Sequence, residues 1–319
     1  MIDKYGRNIN YLRISLTDRC NLRCIYCMPS DIEFRDEYIN DTLSTGDYKF
    51  IIKSMANSGI TKLRFTGGEP TLHPGLNDLI WFAKNECNIN DIAITTNGLN
   101  LAKIASTLKA NGLNKVNISI DSLKVYKYKS VTRGGDLTKV LNGINECLKE
   151  GIKVKINCVA IKGFNDDEIL DFIELIRYNP IDVRFIELMP IGEGQKIYEN
   201  GYINVHEMIE SIDGLYPVPS EEDSPAKYYK FKGAKGRIGV ITPLSCSFCK
   251  NCNRIRVTSN GKIKLCLHSK EEIDIRNYIN KPLIFREVLK DIILGKPEKH
   301  NLVERQSSET TRKMYEIGG

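Results

Sequence analysis

The chain has 319 residues, of which 41% are hydrophobic and 27% charged, with a formal net charge of +6 at pH 7. This composition excludes a disordered or collagen-like chain, and no apolar run approaches the ~18 residues of a membrane span. The positive surplus is too small to mark a nucleic-acid binder, although it suits an anionic substrate.

Periodicity alternates between strand and helix along the first two thirds of the chain. Tyr11 to Leu16 reads as a strand. Ser44, with Asp47 three residues on, opens a helix with Tyr48, Ile51, Ile52 and Met55 on one face, which Gly59 stops. Leu63 to Thr66 is a short strand, followed by a helix carrying Leu76, Leu79, Ile80, Ala83 and Cys87. Ile92 to Thr95 precedes a helix with Leu101, Ile104, Ala105 and Leu108, closed by Gly112. Val116 to Ile120 precedes one with Val140, Leu141, Ile144, Cys147 and Leu148, closed by Gly151. Val154 to Ile161 leads into an Asn165-capped helix with Ile169, Phe172, Ile173 and Ile176, and Val183 to Leu188 is the sixth strand. Six such units with short connections require parallel pairing with helices outside, hence an α/β barrel or an open, barrel-like sheet. After about Ile191 the rhythm fails, and a second, smaller domain is placed over residues 214–319, after a first over 1–213.

Residues Met1 to Ser15 lack the apolar stretch of a signal peptide, so a cytoplasmic protein without membrane or nucleic-acid partners is expected. Ten cysteines in a chain of this length then indicate metal or redox chemistry rather than disulfides. Cys87, Cys147 and Cys158 fall on predicted helix faces or in a strand and read as buried apolar thiols. Cys20, Cys24 and Cys27 follow the first strand with C-x3-C-x2-C spacing. Thioredoxin chemistry needs two of them, and a structural zinc site needs a fourth ligand that is not nearby. Three thiolates on one tight loop suit a [4Fe–4S] cluster with one iron left open. Cys246, Cys249, Cys252 and Cys266 form a second group. Its start is ferredoxin-like, but no x3-C-P follows.

The stretch Cys20-Asn21-Leu22-Arg23-Cys24-Ile25-Tyr26-Cys27 closely resembles the radical S-adenosylmethionine superfamily. Thr66-Gly67-Gly68-Glu69-Pro70 resembles the segment that holds the methionine amino group there; paired glycines let backbone carbonyls approach a ligand. The stretch Phe248 to Leu267, with C-x2-C-x13-C around Asn253-Arg254-Ile255-Arg256, resembles a narrower family, the GTP 3′,8-cyclases of molybdenum-cofactor biosynthesis. That likeness runs from Tyr11-Leu12-Arg13-Ile14-Ser15 through Lys62 to Thr66 and Arg184 to Glu187 to the terminal Gly318-Gly319. Cys246 departs from the family pattern.

The resemblance implies an incomplete (β/α)6 TIM-like barrel of the radical S-adenosylmethionine type with a smaller C-terminal iron–sulfur domain. It implies two [4Fe–4S] clusters, one on Cys20, Cys24 and Cys27 and one on Cys249, Cys252 and Cys266. It places S-adenosylmethionine against Tyr26, Gly68, Ser119 and Met189. GTP falls to Arg13, Arg64, Thr95, Lys155, Arg254 and Arg256, with Lys62 and Arg184 as weaker candidates. Arg254, Arg256, Gly318 and Gly319 are the expected catalytic set, the two glycines threading into the active site. The implied reaction is reductive cleavage of S-adenosylmethionine, removal of the 3′ hydrogen of GTP, and attack of the ribose carbon on C8 of guanine. Implied partners are an electron donor such as flavodoxin or ferredoxin, cyclic pyranopterin monophosphate synthase as product acceptor, and a second copy in a homodimer. His73, His206, His268 and His300 receive no role. Two other readings stand beside this one: a radical enzyme that modifies peptides with an auxiliary cluster, and a zinc or iron–sulfur binding or electron-transfer protein.

Overall fold

The computed structural model describes residues 1–33, 42–220, 224–245, 248–302 and 307–318; Cys246 and Gly319 lie outside the described residues. Strands β1 (Tyr11–Ser15), β2 (Lys62–Thr66), β3 (Asp91–Thr96), β4 (Lys115–Ser119), β5 (Lys153–Ala160) and β6 (Ile181–Glu187) lie side by side in chain order. Every adjacent pair is parallel. Parallel neighbours need a long return, and helices α1 (Thr45–Asn57), α2 (Leu76–Asn85), α3 (Leu101–Ala110), α4 (Val125–Thr132), α5 (Leu137–Lys149) and α6 (Ile169–Tyr178) lie on those returns. Ser44 and Asp47 form the expected reciprocal cap of α1.

Residues after 214 do not build a separate sheet. Strand β9 (Arg237–Ile241) pairs parallel with β6, and β10 (Arg254–Val257) pairs parallel with β1. Beyond β9 lie β8 (Ala226–Phe231) and β7 (Leu215–Val218), and beyond β10 lie β11 (Lys262–Lys264) and β12 (Ile273–Asp274), all antiparallel. The C-terminal third therefore flanks the six-stranded array on both sides.

The two faces of the array differ in chemistry. Leu12, Ile14, Leu63, Phe65, Ile92, Ile94, Val116, Ile118, Val154, Ile156, Val183 and Phe185 are buried in one continuous apolar core shared with the helices. Each such side chain stabilises the fold by roughly 1.5–3 kcal/mol. The alternate positions are Tyr11, Arg13, Arg64, Asn117, Lys155, Asn157 and Arg184, and these line cavities instead. A barrel interior is ordinarily filled by branched apolar residues. Here the inner face is polar and open, and stability comes from the outer layer.

Several helices differ from the sequence reading, among them one over Pro282–Leu294 that it did not give. The pattern gives no sign of α4, because its Val125 and Tyr126 are exposed and its buried residues are Tyr128, Val131 and the polar Thr132. Helices α7 (Glu193–Gly201) and α8 (Val205–Glu210) lie where the rhythm was read as failing. The helix after β5 is not capped by the Asn165 side chain. That amide instead donates to the Asp121 carbonyl at 2.7 Å, and its oxygen accepts from Ile161 N at 2.8 Å. Cys147 and Cys158 are buried as expected, whereas Cys87 falls beyond the end of α2 and is only partly buried. Among the described residues no helix is long and apolar enough to cross a membrane.

Candidate active site

The loop after β1 carries Cys20, Cys24 and Cys27 at the C-terminal end of the array. Cys27 N and Met28 N both donate to Cys24 O at 3.0 Å, closing a tight turn between the two thiols. Leu22 N reaches Cys20 Sγ at 3.4 Å. Burial pushes the Cys20 thiol up to about 11, with the Glu69 charge adding to it. Burial also holds Cys24 and Cys27 well above the ordinary thiol value; Cys27, Asp121 and Cys20 raise Cys24 further, and Cys20 and Asp121 raise Cys27. Thiols this close, with their negative charges uncompensated, are ones that iron would deprotonate. Among the described residues no three His, Cys, Asp or Glu side chains converge on one ion, as a mononuclear zinc site requires. A [4Fe–4S] cube takes each thiolate on a different iron, so three thiols spread around one loop fit it.

Residues 66–70 fold against this loop, and the structure shows a further reason for the glycines. A Cβ on Gly68 would lie 2.3 Å from Arg19 O and 2.6 Å from Asp18 O. The missing side chains make room for the chain's own backbone leading to Cys20, and Gly68 N donates to Thr17 O at 2.6 Å. Glu69 is fully buried and accepts from Thr71 N, Thr71 Oγ1, Thr96 Oγ1 and Asn97 N at 2.7–3.0 Å. Its carboxylate thus locks the ends of β2 and β3 together. Tyr26 donates to Asp121 Oδ2 at 2.8 Å, and Val159 N donates to Asp121 Oδ1 at 2.9 Å. Burial raises Asp121 to about 6 in spite of these bonds. Ser119 ends β4 and Met189 follows β6, so both lie at the same end of the array as the cysteine loop.

Arginines dominate the lumen. Register places Arg256, Arg13 and Arg64 in one row across β10, β1 and β2, and Arg254, Tyr11 and Lys62 in the row below. Burial, then the charges of Arg256 and Arg64, hold Arg13 well below its ordinary value. Burial lowers Arg184 and Arg256 to about 10, so both are cations at pH 7. Burial pushes the Tyr11 hydroxyl up, yet Arg64, Arg13, Arg254 and Arg184 outweigh it and the net shift is downward. Arg64 Nε, Arg184 Nε, Thr95 Oγ1 and Asn157 Oδ1 are buried with no hydrogen-bond partner among the described residues. Lys155 lies near Asp182, at 3.7 Å, and donates to Tyr228 OH at 3.3 Å. Buried donors in a field of like charge require an acceptor that carries negative charge.

The C-terminal cysteines open onto this lumen. Arg13, Arg64, Arg184, Arg254 and Arg256 share the walls of one cleft, of about 1160 Å3, with Met189, Cys249, Cys252 and Cys266. Cys20, Cys24, Cys27, Tyr26, Gly68, Thr95 and Ser119 are not in its walls; they sit around the strand ends. Two cations that the sequence analysis passed over build the C-terminal cysteine loop. Arg7 donates to Cys249 O at 2.9 Å, to Glu298 O at 2.9 Å and to Pro297 O at 2.7 Å. The buried Lys296 ammonium donates to Arg254 O at 2.8 Å and to Leu265 O, bridging the segments that carry Cys252 and Cys266. Burial raises Cys252, but the charges of Lys296 and Arg254 bring it below the ordinary thiol value; Cys266 stays above it. Cys252 is thus held toward thiolate, unlike Cys20, Cys24 and Cys27. His268, given no role from the sequence, is buried in the cleft wall, edge-on to His300 at 4.6 Å and 3.2 Å from Ser308 Oγ. Its place two residues after Cys266 was the available signal.

The C-terminal segment closes the mouth. A turn of helix over Met314–Ile317 delivers Gly318 to the ends of β1 and β2. Gly318 O accepts from Arg13 at 2.9 Å and from Arg256 at 2.7 Å, and Ile317 O accepts from Arg256 at 3.0 Å. The segment is anchored by Arg312, which donates through two nitrogens to Glu272 at 2.5 and 2.8 Å, and Lys264 lies 3.3 Å from the same carboxylate. Burial raises Glu272, yet the hydrogen bonds and charges of Arg312 and Lys264 outweigh it and leave it below its ordinary 4.5. A depressed carboxylate contributes stability above its unperturbed value and loses it as the pH falls through its folded value. The docked segment is therefore expected to loosen below about pH 4.5, with faster proteolysis near Arg312, and Glu272→Gln to flatten that pH dependence. Equal cleavage rates at pH 6 and pH 4 in the parent protein would count against the anchor.

The comparisons with known proteins agree with this geometry. Residues 14–176 match the Radical SAM superfamily, and residues 181–302 match Molybdenum Cofactor Synthesis C. The chain is 51% identical over 320 residues to a GTP 3′,8-cyclase of Clostridium acetobutylicum, and 50% identical over 321 residues to one of Alkaliphilus oremlandii. Each match covers 100% of both chains. The chain belongs to the GTP 3′,8-cyclase family. Among solved structures, Streptococcus suis SuiB superposes with a TM-score of 0.64 at 16% identity, covering 98% of this chain and 78% of that one. SuiB bound to precursor peptide SuiA gives 0.65 at 17%. At that identity the likeness concerns the fold alone, and the peptide in that structure says nothing about what this family member takes.

Proposed function

We propose that the protein is a radical S-adenosylmethionine lyase, a GTP 3′,8-cyclase that converts GTP to (8S)-3′,8-cyclo-7,8-dihydroguanosine 5′-triphosphate in the first step of molybdenum-cofactor biosynthesis. The observation that carries this reading is the row Arg256, Arg13 and Arg64 across β10, β1 and β2, in the wall of the cleft onto which Cys249, Cys252 and Cys266 open, with Arg64 Nε and Arg184 Nε buried and unsatisfied among the described residues. A triphosphate carries roughly four negative charges, and guanidinium forks match its oxygens.

Cys20, Cys24 and Cys27 hold the first [4Fe–4S] cluster, with Tyr26, Gly68, Ser119 and Met189 around S-adenosylmethionine. When bound, that pair supplies the one-electron chemistry that removes a ribose hydrogen. Cys249, Cys252 and Cys266 hold a second cluster, three thiolates leaving one iron for a substrate atom. Arg13, Arg64, Thr95, Lys155, Arg254 and Arg256 orient GTP, with Lys62 and Arg184 beside them, so that ribose and base keep the geometry that ring closure needs. Gly318, whose carbonyl oxygen accepts from Arg13 and Arg256, belongs with Gly319 to the catalytic set. Residues 1–213 thus carry the cofactor site and much of the substrate cradle, and residues 214–319 carry the second set of cysteines and the rest of the cradle. A flavodoxin or ferredoxin as electron donor, cyclic pyranopterin monophosphate synthase as acceptor of the product, a homodimer and a cytoplasmic location complete the reading.

Anaerobic incubation of the reconstituted protein with dithionite, S-adenosylmethionine and GTP tests it. The expected products are 5′-deoxyadenosine and a cyclised GTP; cofactor cleavage without any change in GTP would sink the substrate assignment. Arg64→Ala removes one charged donor and is expected to weaken GTP binding roughly 10- to 100-fold, measured by calorimetry, with iron content unchanged.

A further inference from the structure

The C-terminal end of α4 and the N-terminal cysteine loop are joined by four hydrogen bonds. Arg23 N donates to Thr132 O at 3.1 Å and Ile25 N to Val131 O at 2.9 Å, using carbonyls that the end of a helix leaves unpaired. The other two come from one side chain. Arg133 Nη1 donates to Arg23 O at 2.9 Å and to Met28 O at 2.8 Å. Arg23 immediately precedes Cys24, and Met28 immediately follows Cys27. A single guanidinium nitrogen therefore closes the bracket around the two-thiol turn.

The backbone at this position is also unusual. Arg133 sits in the left-handed region, at φ 54° and ψ 51°, one of three described non-glycine residues with positive φ. A β-carbon is disfavoured there, and glycine is the usual residue just past a helix. Two glycines follow directly, so the helix could end without straining an arginine. The platform beneath is rigid. Tyr128 is fully buried, Thr132 Oγ1 donates to Tyr128 O at 2.6 Å, and Gly135 N donates to Thr132 Oγ1 at 2.9 Å. Strain held in place by a rigid surround is a mark of a positioned group.

We propose that Arg133 is a positioning residue for the N-terminal iron–sulfur cluster: it fixes the separation of Cys24 and Cys27 by clamping the carbonyls on either side of them. Arg133 touches neither thiol and acts through the loop. The inference rests on reading Cys20, Cys24 and Cys27 as cluster ligands.

The test compares Arg133→Gly, Arg133→Asn and Arg133→Lys with the parent as reconstituted holoenzymes. Gly and Asn both accept the left-handed backbone but lack the guanidinium. Three quantities are read: the melting temperature, the rate of iron release to a chelator, and the change that S-adenosylmethionine makes in the EPR spectrum of the reduced protein. A clamp predicts iron release faster by roughly tenfold in the Gly and Asn variants, for the loss of two charge-assisted bonds. It also predicts a weakened S-adenosylmethionine-dependent EPR change, no loss of melting temperature, and partial recovery with Lys. A residue that merely ends the helix predicts a Gly variant as stable as the parent or more so, with parental iron release and EPR, and that result overturns the proposal. Should the parent itself show no S-adenosylmethionine-dependent EPR change, or Cys24→Ala retain it, the ligand set fails first and the clamp with it.

Discussion

Replacing Cys24 with Ala is expected to abolish cleavage of S-adenosylmethionine and remove roughly half of the iron. Among the described residues near it, Cys20 and Cys27 are the other thiols, Asn97 Nδ2, 3.9 Å from Cys20 Sγ, is a donor rather than a metal ligand, and both oxygens of Asp121 already accept hydrogen bonds from Tyr26 and Val159. Burial already disfavours the charged thiolate, so the loop depends on all three sulfurs sharing the cluster's charge. Cys249→Ala is expected to remove the other half while cofactor binding at the first cluster persists. Cys246→Ala, outside the described residues, is expected to leave iron near the parent value. If Cys246→Ala halves the iron and Cys249→Ala does not, the C-terminal ligand set is wrong.

Gly318→Ala should reduce GTP cyclisation by about 100-fold or more while both clusters assemble and GTP still binds. A Cβ at Gly318 would lie 2.2 Å from Thr66 Cγ2 and 2.9 Å from Ser15 Oγ, at a φ of +64°. Neither neighbour can give way easily, because Ser15 and Thr66 are buried at the ends of adjoining strands. The tail must then back out of the mouth and lose its bonds to Arg13 and Arg256. A misplacement of about 1 Å in a positioned group costs on the order of 100-fold in rate. Deleting Gly318 and Gly319 is expected to do the same. Full cyclisation by either protein would make the docked segment a bystander.

Strands β1 to β6 and helices α1, α2, α3, α5 and α6 were legible because Leu12, Ile14, Leu63, Phe65 and their counterparts alternate with polar residues, and α5 and α6 carry apolar faces at helical spacing. The cysteine spacings were legible because the thiols proposed to share one cluster sit close in sequence. What escaped depends on distant pieces of chain. Arg7 supports Cys249 from the other end of the chain, Lys296 bridges Arg254 and Leu265, and Arg312 meets Glu272 across some forty positions. A lone basic residue carries no local pattern that distinguishes such a post from a solvated surface charge. The family likeness located the lumen arginines, but not their shared row or their mutual repulsion. Those follow from register, which a single strand does not specify.

The arrangement of β9 and β10 has a consequence for biosynthesis. The six parallel strands emerge from the ribosome first, yet their two outer members, β1 and β6, gain partners only from residues after 236. Until then the array presents unpaired backbone on both flanks, a template for pairing with another chain. Domains generally fold in order of synthesis, but this one stays unfinished until its last third arrives. The C-terminal third is thus an internal guard against aggregation as well as a carrier of cysteines. A nascent chain arrested near residue 213 would have every thiol of the first cysteine loop and neither of its protective edges.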